Sequence, residues 1–177
     1  NPDMPPEGEG QNEHIARKYG RTPDQVAANR GQLHAVGDRA GYSFRYAGAG
    51  DPPKAMMWNT NAAHRLLKWA LIEAGAEVQT ALKRALFDAH FQQRRNVSDP
   101  AVLVELAAGV GLDAAGAAAA LDDEALGLVV RREQAAAWDM NISGVPAMIV
   151  NGKYMIPGAQ EPEVYASALR RVVAKGL

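Results

Sequence analysis

The stretch Gly144-Val145-Pro146-Ala147-Met148-Ile149-Val150-Asn151-Gly152-Lys153-Tyr154-Met155-Ile156-Pro157-Gly158 decides how the rest of the chain reads. Residues 145–150 are an unbroken apolar run, the pattern of a strand covered on both faces. Asn151-Gly152 is a favoured pair for a two-residue type I′ hairpin turn, because both positions tolerate positive φ. Lys153-Tyr154-Met155-Ile156 reads as the returning strand, Pro157-Gly158 breaks it, and Pro162 opens a last helix. That helix carries Val164, Tyr165, Ala168, Leu169, Val172 and Val173 as an apolar stripe, with Arg170, Arg171 and Lys175 near its negative end. Met148 and Met155 lie inside the strand patterns and are expected in the core.

Upstream, the pattern is helical. Residues 1–10 hold three prolines and read as an exposed, turn-rich loop. A first helix begins near Gln11 and stops at Gly20. Thr22-Pro23-Asp24-Gln25 is a capping box with proline at the first helical position. Val26, Leu33, Val36 and Ala40 follow at helical spacing. Tyr42-Ser43-Phe44-Arg45-Tyr46 alternates apolar and polar residues and predicts a short half-buried strand near 42–46. Asn59-Thr60-Asn61 caps a helix ending around Gly75, and a second follows with Val78, Leu82, Ala85, Leu86 and Ala89 on one face. Asp99, Asp113 and Asp122 or Asp123 cap three more. The expected organisation is one structural domain: a loop over 1–10, a helical block over 11–141 and a ββα ending over 142–177.

That ending does not complete a sheet. A lone hairpin is marginal in water, and a stable sheet usually has three or more strands. A run apolar on both faces therefore implies further strands, upstream of residue 1 or from another chain. Asn1 is not an initiator residue, so the chain's start is not expected to be the gene's start.

Composition narrows the function classes. The chain has 177 residues, 19 Lys plus Arg, 20 Asp plus Glu, and a net charge of −1. Such balance gives no field for attracting nucleic acid or anionic membrane. The dibasic pairs at 94–95, 131–132 and 170–171 are dispersed among acids and read as solvated surface. No apolar run approaches the roughly 18 residues of a membrane span. The absence of cysteine excludes disulfides, iron–sulfur clusters and thiolate catalysis from these residues. His14, His34, His64 and His90 lack zinc-motif spacing, so no metal is expected.

The order strand, tight turn, strand, helix, after a helical block, resembles the thioredoxin fold in its DsbA-type form. Three stretches resemble the FrnE-like branch of that family: Glu13-His14-Ile15; Asn59-Thr60 with Ala63-His64-Arg65-Leu66-Leu67; and residues 144–160. Asn1-Pro2-Asp3-Met4-Pro5 is similar to that branch's loop after the second strand. The resemblance implies an α/β thioredoxin-like fold with an all-helical insertion, mostly helical here, its N-terminal βαβ part and Cys-x-x-Cys lying before residue 1. It implies that Gly144, Val145 and Pro146 form a cis-proline loop whose Val145 backbone pairs with an extended substrate. Asn59, Thr60, His64 and Met4 would stand at the active-site periphery, although a helix-start histidine also serves structure alone.

The expected function is that of a DsbA/FrnE-like protein disulfide oxidoreductase whose redox cysteines are not in this chain. It would act without a cofactor on a thiol/disulfide protein or a small thiol. Its expected setting is cytoplasmic, without nucleic acid or membrane, and a homodimer is left open. One alternative is a glutathione-dependent isomerase or transferase of the 2-hydroxychromene-2-carboxylate isomerase or kappa type, with serine as the key residue. Another is a Cys-free, non-catalytic peptide-binding or dimerisation module.

Overall fold

A computed structural model describes residues 3–142 and 144–176. Asn1 and Pro2, the start of the expected loop, lie outside the described residues. The chain divides into two compact units, 1–130 and 131–177, where the sequence reading places one domain with its change of character at 142.

The first unit opens with a two-residue strand β1 (Glu9–Gly10), followed by α1 (Gln11–Tyr19) and α2 (Pro23–Arg39). The capping box forms: the Gln25 amide donates to Thr22 Oγ1 and the Thr22 amide to Gln25 Oε1. A second short strand, β2 (Met56–Met57), pairs antiparallel with β1, Glu9 facing Met57 and Gly10 facing Met56. This miniature ladder was not expected from the sequence.

Then comes α3 (Asn61–Phe87), which is two helices joined at Gly75, where φ is 82° and ψ −177°. The chain reverses there, so Gln79 Nε2 donates to the Leu67 carbonyl at 3.1 Å. A continuous helix would hold those residues about 18 Å apart. Reversal lets Leu66 and Ala70 share one buried cluster with Leu82 and Leu86. A π-turn, Asp88–Gln92, follows, then α4 (Pro100–Gly109) and α5 (Ala114–Asp122). Asp99 caps α4 through the Ala101 amide, and Asp113 caps α5 through the Gly116 amide. Both helices add to the cluster, with Leu103, Ala107, Ala117 and Leu121. Asp123 accepts from the Ala125 and Leu126 amides and starts α6 (Glu124–Asp139).

Residues 42–46 are not a strand, contrary to their alternation. The Tyr42 amide donates to Gly37 O at 2.9 Å, and a Cβ on Gly37 would stand 2.6 Å from Phe44. That absence of a side chain lets the segment lie against α2. Phe44 then packs edge-on between Tyr42 and Phe91, with centroids 4.9 Å from each. The Ala47 amide bonds Gln92 O, and Tyr42 Oη donates to Asp88 at 3.0 Å. Ring packing and these bonds to the π-turn take the place of a ladder. Burial, then the bond to Asp88, pushes the Tyr42 phenol up to about 12.

In the second unit β3 (Ala147–Val150) pairs antiparallel with β4 (Tyr154–Pro157), Met148 facing Ile156 and Ile149 facing Met155. Asn151 and Gly152 take the positive φ expected of them, 52° and 63°. Val150 pairs with Tyr154, however, so the loop has Lys153 as a third residue and is not the two-residue turn expected. The returning strand accordingly runs from Tyr154 through Pro157 rather than over 153–156. Helix α7 (Pro162–Val173) packs on β4, burying Ile156 and Val172. Two further expectations fail here. The strand starts at Ala147 rather than Val145, and Met148 and Met155 are 42% and 44% exposed instead of in the core. The reason is the sheet itself: among the described residues the hairpin has no third strand.

Candidate functional site

The second unit carries the proline loop. The Val145–Pro146 peptide bond is cis, and Val145 is 90% exposed. Three hydrogen bonds hold the loop's base. The Gly158 amide donates to Pro146 O at 2.8 Å, Tyr165 Oη donates to Gly158 O at 2.9 Å, and Gln160 Nε2 donates to Pro157 O at 2.7 Å. Helix α7 thereby fixes the hairpin exit, and the hairpin exit fixes Pro146. Gly144, Val145 and Pro146 share a cleft of about 210 Å³ with Met155 and Gly158. It is a largely apolar recess with an exposed backbone corner at its mouth, which suits an extended chain better than a charged small molecule.

The other expected site residues stand in the first unit, where Met4 and Asn59 meet. Asn59 Nδ2 donates to Met4 O at 2.9 Å, and Asn59 Oδ1 accepts from the Asn61 amide at 3.0 Å. Asn59 thus ties the opening loop to the start of α3. The loop is accordingly less exposed than its prolines suggest, since Met4 is buried at 8% exposure. Thr60 is the residue before the first turn of α3, and its carbonyl accepts from the His64 amide at 3.0 Å. His64 is an exposed residue, yet desolvation by the atoms around it is the main cause that pushes its pKa below the usual histidine value, with the charge of Lys83 a lesser one. Its imidazole is therefore favoured neutral, able to accept or donate one hydrogen bond.

One cluster was not legible in the sequence. Glu9, on β1, accepts from Arg17 at 3.1 and 2.7 Å and pairs with His14 Nδ1 at 2.8 Å. His14 is a buried polar residue, at 6% exposure, so Glu9 supplies the partner its ring needs. The bond from Arg17 first, then that from His14, holds the Glu9 carboxyl down from 4.5 to about 2. Folding thus favours the carboxylate. The stability it contributes is present above about pH 4.5 and is lost as pH falls toward 2. Glu9→Gln is expected to flatten the fall of Tm across that window, measured by circular dichroism. An unchanged slope would sink this assignment.

Among the described residues no group of three His, Cys, Asp or Glu side chains is arranged to hold a metal ion. No helix among them is long and apolar enough to cross a membrane.

Residues 3–170 match the model of the DSBA-like thioredoxin domain. The chain belongs to that family. A solved structure, a probable DsbA oxidoreductase of Streptomyces coelicolor, aligns with TM-score 0.85 and 28% identity over 99% of this chain and 73% of its own. The thiol:disulfide interchange protein DsbA of Pectobacterium carotovorum subsp. carotovorum is 35% identical over 88 residues, 50% of this chain and 42% of that protein. The uncharacterized protein YwbO of Bacillus subtilis is 35% identical over 85 residues, 48% of this chain and 42% of its own. The chain thus spans less than half the length of the curated relatives it matches. It has a DsbA-like thioredoxin fold, mostly helical, and these 177 residues contain no cysteine.

Proposed function

We propose that this chain is the substrate-holding and helical part of a FrnE-like thiol–disulfide oxidoreductase, whose reacting cysteines are supplied from outside these 177 residues. The observation that carries the reading is Val145, 90% exposed at the corner of an otherwise fixed hairpin in a DSBA-like domain. There its backbone would add an extended substrate segment by strand pairing. In the exchange, a thiolate attacks one sulfur of a disulfide, the other sulfur leaves as a thiolate, and a second thiol resolves the mixed disulfide. No group in this chain performs those steps, because it has no thiol. Its share is to present the substrate. On the same family likeness we propose a protein or small-thiol substrate, no bound cofactor and a cytoplasmic setting.

The test is the intact mass of the protein from its native source, before and after reduction and alkylation. A mass above 18.9 kDa that gains two alkyl groups is the expected result. The same excess without alkylation would favour the serine-type glutathione enzyme. A mass of 18.9 kDa would remove catalysis altogether and leave a binding module.

A further inference from the structure

In the first unit, a cavity of about 140 Å³ lies where α1, α2, the 42–46 segment and the π-turn meet. Its walls are of two kinds. Leu33, Phe44 and Phe91 are apolar, and Arg30, His34 and Arg94 bring cationic or neutral donors. No carboxylate lines it. The acids of the neighbourhood are engaged elsewhere. Asp38 holds Arg45 at 2.7 Å, Asp88 accepts from Tyr42 at 3.0 Å, and Glu9 is taken by His14 and Arg17. Arg30 gives one N–H to Asn12 Oδ1, which carries no charge.

Arg94 is the anomaly. It is not glycine, yet it sits in the left-handed region with φ of 57°. Its Nε is buried with no hydrogen-bond partner among the described residues. Burial, then the charge of Arg30, lowers its pKa. An unpartnered buried guanidinium nitrogen costs stability, and so does left-handed backbone at a residue other than glycine. The segment that imposes both is firmly held: the Arg95 amide donates to Ala89 O at 2.8 Å, and the Arg95 guanidinium grips Glu105 at 2.9 Å. His34 reports the same excess of positive charge, its pKa lowered by burial and then by Arg45 and Arg30, with Asp38 opposing and Arg94 adding.

We propose that this cavity binds a small aromatic carboxylate, its carboxylate set between Arg30 and Arg94 and its ring against Phe44 and Phe91. Charge decides the first part, since the walls offer donors and no acceptor anion. The lining decides the second, since Phe44 and Phe91 offer ring surfaces against which an aromatic ring packs. This site is independent of the proline loop and of the redox reading.

Benzoate titrated into the full chain, followed by NMR chemical shifts, provides the test. Saturable shifts should localise to α2 and residues 88–95. Arg94→Gly removes the guanidinium and the left-handed penalty together, so its melting temperature should not fall, while its affinity should drop at least about tenfold. Benzamide and inorganic phosphate should each bind at least about tenfold more weakly, the first lacking the charge and the second the ring. No saturation by about 10 mM benzoate would overturn the proposal. So would equal affinity for benzoate and benzamide, equal affinity for phosphate, or an unchanged affinity in the folded Arg94→Gly variant.

Discussion

Gly8→Val is expected to lower the melting temperature by about 6–12 °C, from a loss on the order of 3 kcal/mol. Two costs add. Gly8 has φ of 73°, where a β-branched residue loses about 1–2 kcal/mol. A Cβ there would also stand 2.6 Å from Trp58 Cε3 and 2.9 Å from the Met57 carbonyl, so the indole, the β1–β2 ladder or both must move. Trp58 precedes Asn59, whose side chain holds the Met4 carbonyl, so the damage should reach the opening loop. Gly50→Val is the control. It has φ of 76° with open space around the added carbon, so only the backbone cost applies. Equal losses from the two variants, read by thermal circular dichroism, would show that the Trp58 contact contributes nothing.

Leu103→Ala is expected to cost about 3 kcal/mol, with a similar fall in melting temperature. Leu103 is fully buried in the cluster that joins both limbs of α3 to α4 and α5. Truncation removes three carbons' worth of burial and leaves a cavity within a cluster that also holds Leu66 and Leu82. Ile72→Ala, at a position 67% exposed, should stay within about 0.5 kcal/mol of the parent. A Leu103→Ala loss below about 1 kcal/mol would mean that the site collapses around the gap.

How much of this was legible depended on how local the deciding chemistry is. Thr22, Asp99, Asp113 and Asp123 cap helices through amides two or three residues away, so their spacing alone located the helix starts. Asn151-Gly152 likewise marked the place of its turn through positive φ, although not the loop's third residue, Lys153. Residues 42–46 misled because their alternation is answered by Phe91 and Asp88, far along the chain. Met4 read as exposed because the residue that holds its carbonyl, Asn59, is 55 positions away. Met148 and Met155 read as core because a strand pattern does not say how many strands surround it. The site divides the same way. Gly144, Val145 and Pro146 were singled out through likeness to a family rather than from any periodicity, and Glu9, spaced five and eight residues from His14 and Arg17, follows no period at all.

The reversal at Gly75 also bears on how quickly the first unit can assemble. Leu66 and Ala70 meet Leu82 and Leu86 across a short closed loop, and the entropy of closing a loop grows only slowly from that small starting length. The cluster is then extended by Leu103, Ala107, Ala117 and Leu121 of α4 and α5, the next two α-helices in order. Chains whose contacts are near in sequence cross their barrier in microseconds to milliseconds, far ahead of sheets built from distant strands. The helical core is therefore expected to form early, as a nucleus within 66–86, and stopped-flow fluorescence from Trp58 and Trp69 would time it.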